Sequence, residues 1–210
     1  MFKEKFIIVA SALFAGTAAQ AAERSYELEE FTGVNVARGV KLSLTMGSPS
    51  ISAQTDASDF SDLYVVVDDG VLEVRRKSAW ASEEQNRLKY HVTVTAPSLD
   101  FLKASTGATL EATDLQLNDV TVSLNTGAVI NADGTCNTMT IKAHTGAEFE
   151  GRDLLCRSVF AKSRTGGIID AYAAERANGR ARLGGEITFY GNPKHRERGS
   201  FLGGEVRYKK

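Results

Sequence analysis

Between residues 31 and 95 apolar and polar side chains alternate with period two in six short runs, 31–36, 40–46, 50–54, 63–67, 71–75 and 90–95. Alternation of this kind gives a strand one inward and one outward face, and β-branched residues dominate the inward set. Gly33, Gly39, Gly47-Ser48-Pro49 and Asp68-Asp69-Gly70 punctuate the runs. Asp69-Gly70 joins two such runs directly, and a two-residue turn with positive φ predicts a tight hairpin there. The polar stretch 77–87 reads as a surface loop.

From Pro97 onward a longer period is superimposed on the alternation. Gly107, Gly127, Gly146, Gly166, Gly185 and Gly204 follow one another at 20, 19, 20, 19 and 19 residues. The first four sit in Thr-Gly-Ala or Thr-Gly-Gly, the last two in Leu-Gly-Gly-Glu. Overlaid on these glycines, Leu110, Ile130, Phe149 and Ile169 fall three residues after, and Val129, Ile168, Ile187 and Val206 two after. Leu102, Val122, Ile141 and Ala161 fall five before, with Ala104, Leu124, Ala143 and Ser163 three before. Columns that keep register over coils of about 20 residues predict stacked β-coils whose matching positions become rows of one core. The predicted fold is all-β: a right-handed parallel β-solenoid over 97–210, preceded over 22–96 by a β-strand meander that leads into it and caps it. Both parts are expected to form one structural unit. The six glycines are read as corner residues, which lack the Cβ that would obstruct a turn, and the preceding Thr as a hydrogen-bonded ladder between coils.

The same overlay bears on the two cysteines. Cys136 and Cys156 each lie ten residues before a corner glycine and so share a column in adjacent coils. Stacked residues lie within the Cα separation a disulfide accepts. A Cys136–Cys156 disulfide is favoured over two buried thiols in an exported chain. His144 is the one histidine nearby in sequence, and its spacing matches no zinc pattern.

The amino terminus supplies the expectation of export. Lys3 and Lys5 precede an apolar run over 6–15, and Ala19-Gln20-Ala21 is an A-x-A site, which together predict a signal peptide over 1–21 cleaved after Ala21. The apolar run is shorter than a membrane-spanning helix requires. No transmembrane segment is expected in the mature chain, and the destination is the periplasm, the cell surface or the medium. Without residues 1–21 the chain holds 23 basic and 25 acidic residues. That balance argues against a nucleic-acid binder, which shows a strongly basic domain or face. The terminal stretch with Lys194, His195, Arg196, Arg198, Arg207, Lys209 and Lys210 concentrates positive charge, either as a polar solenoid cap or as a contact to anionic envelope surfaces.

Candidate chemistry is sparse. Four residues after the corner glycines stand Glu111, Asn131, Glu150 and Asp170, a stripe able to bind a cation or a sugar, or simply a solvated face that resists lateral association. Three histidines make carboxylates the natural acid–base groups, as in glycosidases. Ser105, Ser123 and Ser163 lack a nucleophile elbow, and no repeated glycine opens a helix as a phosphate loop would. Neither a cofactor nor a metal is implied. Trp80, in the 77–87 loop, reads either as a ligand-binding tip or as cover for a sheet end.

Phe31-Thr32-Gly33-Val34 with Val40-Lys41-Leu42-Ser43-Leu44, then Val67-Asp68-Asp69-Gly70-Val71, Ala96-Pro97-Ser98-Leu99-Asp100, the glycine repeats and Gly185-Glu186-Ile187-Thr188-Phe189-Tyr190-Gly191-Asn192-Pro193 follow one another in order. Together they resemble the bacterial family called the putative auto-transporter adhesin, head GIN domain. The resemblance implies a β-solenoid-like fold in exported proteins and brings no catalytic residues. The expected function is a non-catalytic binding or adhesion module of the cell envelope, with a polysaccharide or protein partner. A carbohydrate-active enzyme using Glu111, Glu150 and Asp170 and a structural envelope protein are the alternatives.

Overall fold

The computed structural model describes residues 22–56, 60–77 and 89–209, together with the backbone of 8–10. Apart from 8–10, the predicted leader lies outside the described residues, as does Trp80 in its loop. The described chain is entirely β.

Chain order and stacking order differ at the amino-terminal end. Strands β3 (Gly33–Ala37) and β4 (Lys41–Met46) are the two arms of one coil, bent at Arg38-Gly39. After β5 (Ser50–Thr55) and β6 (Leu63–Asp68), the chain makes β7 (Val71–Arg76) and β8 (Tyr90–Ala96). These add outside β3 and β4, both in parallel. The chain then crosses to the other side of the β3–β4 coil, where β9 (Phe101–Ser105) pairs with β3 and the start of β10 (Thr109–Asn125) pairs with β4. From there stacking follows sequence through β11 (Val129–His144), β12 (Glu148–Arg164) and β13 (Ile168–Arg182). The last coil is β15 (His195–Phe201) on β13 and β16 (Glu205–Tyr208) on β14 (Glu186–Tyr190). Antiparallel strands close the amino-terminal end: β6 on β7, and β5 on β8 with β2 (Ala22–Glu27) outside it. A short strand β1 (Ile8–Ala10) pairs with β2.

The expected hairpin is present, with Asp69 at φ 47° and Gly70 at φ 73° between β6 and β7. Each solenoid corner likewise carries two successive positive φ values, as at Thr126 (52°) and Gly127 (66°). In the last two coils those residues are Leu183-Gly184 and Leu202-Gly203. Gly185 and Gly204, read from the sequence as corners, lie one residue beyond them. A Cβ at Gly185 would sit 2.5 Å from Ser163 Oγ and one at Gly204 2.3 Å from the Ala181 carbonyl oxygen, so these glycines serve close packing of coil on coil. The shift moves Ile187 and Val206 into the buried row of Leu110, Ile130, Phe149 and Ile169. Val129 and Ile168 are left in the partly exposed row beside it. Corners join through the backbone, Gly107 N–H donating to the Thr126 carbonyl at 3.0 Å and Gly127 N–H to that of Thr145 at 3.1 Å. Among the described residues no threonine-to-threonine side-chain ladder forms there.

Between its two long arms each coil turns through a bulge. At the first of these, Asp114 has φ 55° and its N–H donates to Asp133 Oδ1 at 2.8 Å. Gly134 (φ 119°) passes so close to Leu115 that a Cβ would lie 2.2 Å from its carbonyl oxygen. Just beyond the bulges Cys136 stacks on Cys156, Cα atoms 4.4 Å apart, and the two are joined by a disulfide. Inside, large residues are offset by glycines: Phe149 fills the space a Cβ of Gly151 would need, and Phe189 that of Gly179. Tight complementarity of this kind keeps a core at native density.

Candidate functional site

The predicted stripe is a row in the structure. Glu111, Asn131, Glu150 and Asp170 are register partners in consecutive coils, and Ser43 precedes them while Thr188 and Arg207 follow. Alternation turns their apolar neighbours Leu110, Ile130, Phe149 and Ile169 inward, all fully buried, which leaves Glu111, Asn131, Glu150 and Asp170 on the outer face, while Thr188 further along is buried. With strands about 4.8 Å apart, polar groups recur at that spacing along the solenoid axis.

Beside the row lies a hollow of about 340 Å³ lined by Glu111, Asn131, Asp133, Glu150, Arg152 and Asp153. The last arm residues before each bulge build its wall, where register shifts between Asn131 and Gly134 and between Gly151 and Leu155. Arg152 Nε donates to Asp170 Oδ2 at 3.0 Å and its guanidinium lies 4.7 Å above the Tyr190 ring. Tyr190 also donates to Asp170 Oδ2, at 3.3 Å. Lys41 Nζ sits 2.9 Å from Glu111 Oε1. Of the three carboxylates in the row, Glu111 and Asp170 are therefore held by cations, and Glu150 makes no ion pair with a described residue. Arg152, Asp133 and Asp153 went unnoticed in the sequence because an overlay on the corner glycines puts Asp133 six residues after Gly127 but Asp153 seven after Gly146, although both share an Asp-x-x-Cys spacing to Cys136 and Cys156. Fixed hydrogen-bond donors and acceptors in a shallow open hollow suit recognition of a hydroxyl-rich ligand. Among the described residues Asp133, Glu150 and Asp153 line it outside any ion pair.

A second hollow of about 340 Å³ lies at the amino-terminal end, against Tyr26, Leu28, Phe31, Pro49, Ile51 and Pro97. Burial lifts the Tyr26 phenol above its ordinary pKa, and Arg24 beside it pulls the other way. Among the described residues no three of His, Cys, Asp and Glu converge as a metal site. No helix among them is long and apolar enough to cross a membrane.

Comparison with known proteins gives these surfaces a family context. The sequence pattern of the family described as putative auto-transporter adhesin, head GIN domain, matches residues 30–193. The chain belongs to that family. The GIN-domain match begins just before β3 and ends just before β15, so it includes the whole polar row up to Thr188. A crystal structure of a putative adhesin from Bacteroides fragilis is similar over 91% of this chain and 98% of its own, at 16% identity and a TM-score of 0.69. A putative lipid binding protein from Parabacteroides distasonis is similar over 90% and 97% respectively, at 16% identity and a TM-score of 0.52. At such identities the likeness is one of fold. No curated protein matches the sequence.

Proposed function

We propose that this GIN-domain protein is an exported, non-catalytic binding module of the cell envelope that holds an extended partner, a polysaccharide before a protein, along its polar row. The observation that carries this reading is the continuity of the row: polar side chains in register from Ser43 to Arg207, one per coil, all but the buried Thr188 reaching solvent. A linear polymer can satisfy a repeated set of donors and acceptors that a compact ligand would meet at one point only. The family's description as an adhesin head supports a binding role. The disulfide between stacked coils fits an oxidising compartment outside the cytosol. The ion pairs of Glu111 and Asp170 weigh against the carbohydrate-active alternative, because a paired carboxylate is a poor nucleophile and a poor proton donor.

The test is binding of the exported protein to arrayed envelope glycans and to envelope proteins, with Asn131→Ala and Glu150→Ala as probes. Loss of one or two hydrogen bonds to the ligand at each position should weaken binding by about ten-fold per site. No binding to either class of partner, or binding indifferent to both substitutions, would overturn the proposal.

A further inference from the structure

The other long sheet carries a regular pattern of its own. Lys142, Lys162 and Arg180 are register partners in three consecutive coils, and two residues further along the same strands His144, Arg164 and Arg182 form the adjacent row. The strand spacing of about 4.8 Å and a two-residue step of about 6.6 Å make this a flat lattice of five cations with His144 at one corner. All but His144 are exposed, and none of the six is in an ion pair with a described residue. The crowding is felt within the lattice: burial, Arg164 and Lys142 together hold the His144 pKa below its usual value. Glu197, on the adjoining strand, accepts a hydrogen bond from the neutral Asn178 amide and makes no ion pair with either row. A chain of net charge −1 thus carries five Lys and Arg side chains together on one face.

The same face ends in an apolar cluster. Phe201 is the register partner of Arg182, and Leu183 and Leu202 take the corner position that Thr holds in the four preceding coils. These side chains are 60%, 53% and 62% exposed. Leu183 N–H donates to the Phe201 carbonyl at 3.2 Å, so the three residues lie within one strand spacing of each other. Large apolar groups in exposed left-handed corners add nothing to the core, and such a cluster marks an interaction site.

Cations alone would suit any polyanion. Cations bordering exposed Leu and Phe suit a boundary where negative charge and hydrocarbon lie within a side chain's length of each other. We propose that this face docks the protein on an anionic lipid surface, with the Lys and Arg rows against the headgroups and Leu183, Phe201 and Leu202 inserted into the interface. The inference stands apart from the polar row, which lies on the other arm of the same coils, before the bulge.

The test is co-sedimentation of the exported protein with phosphatidylcholine vesicles with and without phosphatidylglycerol. Binding should require phosphatidylglycerol and fall with salt. At roughly five-fold per cation, Arg164→Ala with Arg182→Ala should weaken it about 25-fold, and Phe201→Ser with Leu202→Ser by about ten-fold or more. All four positions are exposed, and an unchanged circular dichroism spectrum establishes that each variant is folded. Phe201→Trp should shift its emission to the blue on anionic vesicles. Failure to bind anionic vesicles would overturn the inference. So would equal binding to a soluble acidic polysaccharide that is insensitive to Phe201→Ser and Leu202→Ser, which would identify a polyanion partner instead. Glycan binding through Asn131 and Glu150 should survive every one of these substitutions, so failure here is separable from failure of the proposed function.

Discussion

Breaking the Cys136–Cys156 bond tests the stacking register quantitatively. The two residues are 20 apart in sequence and one strand spacing apart in the fold, so the bond closes a loop of one coil in the unfolded chain. Loop-closure entropy for that length amounts to about 3.3 kcal/mol at 25 °C. In a chain of this size such a loss lowers the melting temperature by roughly 6–12 °C. Urea unfolding should be followed for oxidised protein, reduced protein, and Cys136→Ala with Cys156→Ala. Reduction leaves every side-chain volume in place, so it isolates the chain-entropy effect. The alanine pair adds a small packing loss, because both cysteines are buried. Intact mass should rise by about 2 Da on reduction, one hydrogen for each sulfur. An oxidised and a reduced form that unfold within about 0.5 kcal/mol of each other would refute the reasoning, since a bond linking stacked coils must restrict the unfolded ensemble.

Four further substitutions probe separate parts of the fold. Gly134→Ala forces a Cβ to 2.2 Å from the Leu115 carbonyl oxygen at φ 119°, and should cost about 3 kcal/mol or more in urea unfolding. Gly127→Ala meets open space at φ 66° and should cost only about 1–2 kcal/mol, whereas Gly204→Ala, blocked by the Ala181 carbonyl oxygen, should cost more; the reverse order would mean that the corners are misassigned. His144 is held below its ordinary pKa of 6.5, so the unfolded chain binds its proton more readily than the folded one. Its effect on stability is absent above that pH and becomes a penalty as pH falls through 6.5, and His144→Gln should flatten that part of the stability profile.

Where glycine and the apolar columns coincide, the fold is legible in the sequence. The four Thr-Gly corners from Gly107 to Gly166 place Cys136 on Cys156 and Glu111 to Asp170 in one row before any coordinates are known. The reading slips at Leu-Gly-Gly, where two adjacent glycines answer different demands: Gly184 and Gly203 supply positive φ, while Gly185 and Gly204 supply room. It also passes over the coil bent at Arg38-Gly39. That coil's neighbours come from β7–β8 and β9–β10, so two hairpin strands interrupt the period and chain order ceases to be stacking order. The basic face is hidden for another reason. Lys142, Lys162 and Arg180 are 20 and 18 residues apart in a chain whose charges nearly cancel, and only the register of β11 to β13 assembles them.

Carboxyl footprinting of the protein in its native envelope, compared with the purified protein, tests most directly that the polar row is a binding surface. Carbodiimide labelling reports on each carboxylate separately, and Glu150 is exposed and in no ion pair with a described residue, while Glu29 and Glu30 line the separate amino-terminal hollow. The account predicts that labelling of Glu111 and Glu150 falls in the envelope while that of Glu29 and Glu30 is unchanged. Labelling of Glu111 and Glu150 that is identical in the two preparations would contradict it.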